Sequence, residues 1–153
     1  GTTYLFFEEY RAFIEGIGRA IDSSQQPRYL YNKGFKRADE LFNINNAKHH
    51  ESVIIVEGSI DAMFVHQAGY PNVVATLGAA VSKNQGQMIR KFFDKIILFC
   101  DNDDAGIAMG CAMIEMCRGK QISVASVSEG VKDPAEMTKE QIINAINNKT
   151  ITL

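Results

Sequence analysis

The sequence predicts an α/β fold, a mostly parallel sheet flanked by helices, preceded by a small α+β amino-terminal subdomain. Three observations carry this expectation. From Glu51 onward, short apolar runs alternate with helix-length stretches, the pattern of strand–helix units joined by short links. The runs at 53–56 and 96–100 are apolar without interruption, as strands covered on both faces are. Before residue 51 the pattern changes to brief apolar pieces broken by glycines and polar turns. The boundary is drawn at residue 50, dividing 1–50 from 51–153.

Taken in order, residues 4–7, 11–14 and 17–21 are short apolar pieces interrupted by Gly16, Gly18 and the polar turn at 22–27. They suggest strands or hairpins of a separate subdomain. Residues 38–48 read as a helix leading into the alternating region. Residues 53–56 are a strand. Residues 60–68 are a helix with Ala62, Phe64 and Val65 spaced for one face and Gly69 as its stop. A strand at 73–76, a helix at 84–93, a strand at 96–100 and a helix at 104–118 ended by Gly119 follow. A fourth strand at 122–127 precedes a last helix at 138–148. There Thr138 is the N-cap and Gln141 lies three residues on, a capping-box pattern.

The chain has 153 residues, enough for one domain with a real core, or one domain plus an appendage. Hydrophobic content of 46% and charged content of 22% are ordinary for a soluble protein. No run approaches a membrane span and no signal peptide opens the chain, so a cytoplasmic protein is expected. A start on Gly1 rather than Met points to a piece of something longer. The net charge of −2 excludes a generally basic nucleic-acid binder. Charge is local instead: Arg28, Lys33, Lys36 and Arg37 form a stretch without an acid. It is either a solvated loop or a phosphate-binding surface. Cys100, Cys111 and Cys117 lack paired C-x-x-C spacing, which argues against zinc or a disulfide framework and for small core residues in a reducing compartment. His49, His50 and His66 have no partner at ligand spacing, and neither a G-x-S-x-G elbow nor a Walker A loop is present.

Two acidic runs close two of the strands. Glu57-Gly58-Ser59-Ile60-Asp61 follows the first buried run, and Asp101-Asn102-Asp103-Asp104-Ala105-Gly106 follows the third. Ligands of open α/β sheets bind outside the carboxyl ends of the strands, so both runs belong on one rim. Hard cations choose oxygen ligands, so Mg²⁺ or Mn²⁺ is the expected cofactor, and phosphoryl or nucleotidyl transfer the expected chemistry. Gly58 permits a sharp turn and close approach of a phosphate or metal. Asp61, one turn into the next helix, either points back to the rim or offsets the helix dipole. Asp101 and Asp103, two apart, share a face in extended backbone, leaving Asp104 to cap the helix. Asp133-Pro134-Ala135-Glu136 is a third acidic patch, either a solvated turn or a support for the metal.

These residues resemble a known pattern. An E-G-x-x-D segment followed about forty residues later by D-x-D-x-A-G is similar to the Toprim domain of bacterial primases, type IA and type II topoisomerases and some nucleases. The segments His66-Gln67-Ala68-Gly69-Tyr70, Val74-Ala75-Thr76-Leu77-Gly78-Ala79-Ala80 and Asp133-Pro134 resemble the DnaG-type bacterial primase, or a phage-like version of it. Upstream, Gly16-Ile17-Gly18-Arg19-Ala20, Pro27-Arg28-Tyr29-Leu30 with Asn32, Phe35-Lys36-Arg37 and Leu41-Phe42 are similar to the amino-terminal subdomain of that primase's polymerase core.

The resemblance implies metal-dependent synthesis of RNA primers on single-stranded DNA from nucleoside triphosphates. It makes Glu57, Asp101 and Asp103 the principal metal ligands, with Asp133 as a further one and Asp61 and Glu136 in support. It puts Arg19, Arg28, Asn32, Lys33, Lys36 and Arg37 on template, nucleotide or primer. A replicative helicase would be met through regions outside this sequence, and the piece alone would prime weakly or not at all. Three positions depart from the family: Ala135 stands where a second aspartate is common, Asn102 where glycine is usual, and the basic segment is short between Asn32 and Phe35. A Toprim nuclease or topoisomerase-like hydrolase, a degenerate Toprim module that only binds nucleic acid, and a receiver-like signalling domain are the rival readings. The last would carry its acidic pair after the first strand, not the third.

Overall fold

The computed structural model describes residues 2–9, 12–20, 24, 26–27, 29–31, 33–78 and 80–152. The chain divides into two compact units, Gly1–Lys36 and Arg37–Leu153. The sequence boundary falls later, at residue 50, because strand–helix alternation begins at Glu51.

In the first unit, β1 (Thr2–Glu9), β2 (Ala12–Ala20) and β3 (Tyr29–Tyr31) form an antiparallel sheet in the order β1-β2-β3. Gly16 and Gly18 do not break the strand as expected. They lie inside β2 opposite Phe6 and Tyr4, where ladder pairing on the backbone replaces what a side chain would add. The register shifts between Phe7 and Glu8. Downstream, Tyr31 stacks on Phe35 with ring centroids 5.4 Å apart.

The second unit opens with a 3-10 turn at Arg37–Asp39 and a short helix, α1 (Ile44–Ala47). The expected helix over 38–48 is interrupted between them. Phe42 pairs antiparallel with Ala75, its amide 2.9 Å from the Ala75 carbonyl, and Asn43 then turns left-handed at φ 65°. A backbone already bonded to a strand cannot complete helical bonds. Asn43 suits the turn, and its amide donates to the carbonyls of Pro71 (3.1 Å) and Val73 (2.8 Å).

From there strands and helices alternate: β4 (Ser52–Val56), α2 (Ser59–Gln67), β5 (Val73–Ala75), α3 (Lys83–Phe92), β6 (Lys95–Leu98), α4 (Asp104–Met116), β7 (Gln121–Val124) and α5 (Lys139–Asn147). Thr138 caps α5 in the expected capping box with Gln141. The sheet order is β5-β4-β6-β7-β8, parallel except for β8 (Thr150–Thr152), an antiparallel edge that the sequence did not reveal.

Alternate residues of the central strand explain its uninterrupted apolar run. Val53 and Ile55 pack with Ile89 of α3 and Met109 and Met113 of α4. Ile54 and Val56 pack on the other face with Ala62 and Val65 of α2 and Ile142 and Ile146 of α5. All four strand residues are fully buried. The chain leaves β4 toward β5 on one side and returns to β6 on the other. The topological switch point, where ligands of such sheets bind, therefore lies between the carboxyl ends of β4 and β6. Among the described residues, no helix is long and apolar enough to cross a membrane.

Candidate metal centre

Glu57 is the first residue after β4. The ladder between β4 and β6 runs on past β6, since the Phe99 amide donates to the Ile55 carbonyl at 2.9 Å. Two residues later the Asp101 amide donates to Glu57 Oε1 at 3.3 Å. Residues 44 apart in sequence are thus joined at the switch point. Glu57 is buried, 9% exposed, and that burial raises its pKa; the Asp101 amide partly offsets the effect and the Asp103 charge adds to it. Asp101 is pushed up to about 7, by burial first and by the Glu57 charge second. Its Oδ1 is buried with no hydrogen-bond partner. A buried carboxylate oxygen without a donor costs free energy unless a proton or a cation meets it.

Gly106, in the first turn of α4, makes this approach possible. A Cβ there would overlap the Asp101 carbonyl oxygen and lie 2.9 Å from Glu57 Oε1. Asp61 lies in the first turn of α2, and its Oδ2 accepts the Gly58 amide at 3.1 Å. Its Oδ1 accepts the Ala135 amide, also at 3.1 Å, tying the Asp133-Pro134 turn to the rim. Burial, then the Asp133 charge, pushes Asp61 up to about 6.

One expectation is corrected. Asp103, not Asp104, caps α4: Asp103 Oδ1 accepts the Gly106 amide at 2.9 Å, while Asp104 is the exposed first residue of the helix. Helical backbone begins at Asp104, so the extended residue before it is the one whose side chain reaches the open amides. Asp103 keeps Oδ2 for other partners, and that oxygen lies 3.7 Å from Lys132 Nζ. Asp133 repeats the device, capping the 3-10 turn Pro134–Glu136 by accepting the Glu136 amide at 3.1 Å. Glu136 Oε2 accepts the Lys132 amide at 3.0 Å, and the Lys132 carbonyl accepts the Asn102 amide at 2.8 Å.

Of the basic residues singled out by sequence, Arg28, Asn32 and the Arg19 side chain lie outside the described residues. Lys33 and Lys36 are exposed in the first unit. Arg37 donates to the Leu77 carbonyl at 3.3 Å. Among the described residues, the cation beside the carboxylates is Lys132, which charge counting along the chain missed. Its one sequence signal is adjacency to Asp133.

Among the described residues, no three His, Cys, Asp or Glu side chains stand close enough to enclose an ion by themselves. The donor set still fits a hard cation that keeps much of its water. Mg²⁺ is commonly held by one or two carboxylates with waters and substrate phosphates completing its shell. The orphaned Asp101 Oδ1 and the raised pKa values of Asp101 and Glu57 mark where positive charge is lacking.

An open, mostly parallel sheet with acidic residues gathered at its switch point defines the class of this domain. The chain belongs to the Toprim-like family, whose model matches residues 54–138. It is similar to the DNA primase of Clostridium acetobutylicum, 31% identical over 140 residues that cover 86% of this chain and 23% of that one. It is 34% identical to the DNA primase of Aquifex aeolicus over 132 residues, 80% of this chain and 26% of that one. The crystal structure of the Aquifex aeolicus primase, spanning zinc-binding and RNA polymerase domains, superposes with a TM-score of 0.78 at 30% identity, covering 92% of this chain and 38% of that one. The chain thus spans about a quarter of the length of the curated primases it matches.

Proposed function

We propose that this chain is part of the catalytic core of a DNA primase, which makes RNA primers on single-stranded DNA by nucleotidyl transfer from nucleoside triphosphates. The observation that carries the reading is the contact between Glu57 and Asp101 at the switch point, with Asp101 Oδ1 left unpartnered. The likeness to primases over most of the chain supports it. Residues 1–50 would belong to the amino-terminal subdomain of that core and residues 51–153 to its Toprim domain, in a cytoplasmic protein.

Glu57, Asp101 and Asp103 would hold Mg²⁺ or Mn²⁺, with Asp133 joining them. When bound, the ion would neutralise phosphate charge and help a primer 3′-hydroxyl to ionise. The protein's part is positioning. Asp61 holds the Asp133 turn against the rim through the Ala135 amide. Glu57 holds the Asp101 backbone, and the cap formed by Asp103 fixes its carboxylate at the start of α4. Arg19, Arg28, Asn32, Lys33, Lys36 and Arg37 would contact template, nucleotide or primer. Binding of the single strand would then weaken steeply with salt.

The test is Asp101→Ala in the longer polymerase core. Ribonucleotide incorporation on single-stranded DNA is expected to fall by more than about a hundredfold, beyond the loss typical of outer-shell changes, with circular dichroism unchanged. Unchanged incorporation refutes the assignment. DNA cleavage without incorporation by the unaltered core would make the domain a Toprim nuclease instead.

A further inference from the structure

We propose that Lys132 is a catalytic residue of this site, one that leaves Asp103 when a divalent cation binds and then contacts the phosphates of the departing diphosphate. This inference rests on the nucleotidyl-transfer reading above.

The geometry separates a fixed backbone from an exposed ammonium. The Lys132 carbonyl accepts the Asn102 amide at 2.8 Å, and its own amide donates to Glu136 Oε2 at 3.0 Å. Its main chain is therefore stitched to the loop after β6 on one side and to the Asp133 turn on the other. The side chain is 63% exposed, and its Nζ stands 3.7 Å from Asp103 Oδ2, longer than a good charge-assisted hydrogen bond. An exposed pair at that separation is weak and readily exchanged.

Asp103 has only that oxygen to offer, because Oδ1 is committed to the Gly106 amide. The ammonium is therefore the positive charge that this remaining oxygen faces. A divalent ion on Oδ2 would compete with Lys132 for the same charge and repel it. The pinned backbone keeps the released ammonium at the rim, beside any phosphate drawn to the ion. A compact ammonium with three donors suits phosphate oxygens.

In the transfer, the 3′-oxygen forms a bond to the α-phosphorus. The bond from that phosphorus to the bridging oxygen breaks, and its electron pair leaves with the diphosphate. The hydroxyl proton passes to solvent. Negative charge grows on the diphosphate, and Lys132 meets it by hydrogen bonding without giving up its proton.

The test uses the full chain with Mn²⁺ and inorganic diphosphate as probes, read by calorimetry. Lys132→Gln is expected to bind Mn²⁺ as well as the wild type or a few-fold more tightly, because a competitor is gone. It is expected to bind diphosphate in the presence of saturating Mn²⁺ about tenfold more weakly, the loss of one charge-assisted contact. Lys132→Arg should recover most of that affinity. Equal diphosphate affinity in Lys132→Gln and wild type overturns the inference and leaves the metal site standing. Loss of Mn²⁺ affinity in Lys132→Gln also overturns it, since Lys132 would then be shaping the site. A wild-type chain that binds no Mn²⁺ overturns the metal reading and this inference together.

Discussion

Replacing Gly106 by alanine sets two physical effects against each other, and their balance tests the geometry of the site. Gly106 lies in the first turn of α4, where alanine gains about 1 kcal/mol in helix propensity. The added Cβ would overlap the Asp101 carbonyl oxygen and come within 2.9 Å of Glu57 Oε1. The carbonyl is backbone and cannot rotate aside, so the strand end or the helix must move. Overpacking of this kind costs roughly 1–3 kcal/mol. The net expectation is a loss of up to about 2 kcal/mol, measured by urea unfolding with an unchanged m-value. The movement also draws the Asp101 amide away from Glu57 Oε1, a contact already 3.3 Å long. Mn²⁺ affinity, read by the paramagnetic signal of the free ion, should fall about tenfold, the scale of a disturbed outer-shell partner. If Gly106→Ala is more stable than wild type by the propensity gain and binds Mn²⁺ equally well, the close approach of α4 to Asp101 and Glu57 is refuted.

Two further predictions follow from buried groups. Asp101 and Asp61 titrate near 7 and 6 in the folded chain, above the ordinary carboxylate value, so between about pH 4 and 7 the folded chain holds protons that the unfolded chain has lost. Stability of the metal-free chain should therefore fall as pH rises through that window, while Mn²⁺ affinity should rise up to about pH 7 with release of protons; unfolding and Mn²⁺ titrations at several pH values check both, and flat profiles contradict the burial of these carboxylates. Gln85 is 1% exposed and the two hydrogens of its amide nitrogen are shared among the carbonyls of Arg37 (3.0 Å), Glu40 (2.8 Å) and Thr76 (2.8 Å), so Gln85→Ala should cost roughly 3 kcal/mol in urea unfolding, and a cost below about 1 kcal/mol would show these carbonyls to be solvated.

The legible part of the fold was the alternating region. Uninterrupted apolar runs such as 53–56 can only be covered on both faces, and the helices between them leave parallel pairing as the short-link solution. The illegible part was local pattern overruled by distant partners. Residues 38–48 carry helix-forming side chains, yet Phe42 is taken by Ala75 on the sheet edge. Gly16 and Gly18 look like breaks but are carried by the ladder with β1. The antiparallel β8 is three residues long, too short to show a period.

By itself the sequence determined where the carboxylates gather. Carboxylates placed just after buried strands must emerge at the sheet's carboxyl rim, because strand direction and crossover hand leave no other place for them. Tertiary structure alone decided what each carboxylate does there. Whether Asp103 or Asp104 caps α4 depends on where the chain turns, and whether Asp61 faces solvent or Ala135 depends on a turn 74 residues away. The same holds for charge. The cations that stand out along the chain lie at 28–37, whereas among the described residues the one beside the carboxylates is Lys132. Electrostatic pairing is a matter of distance in space, and only the folded backbone sets it.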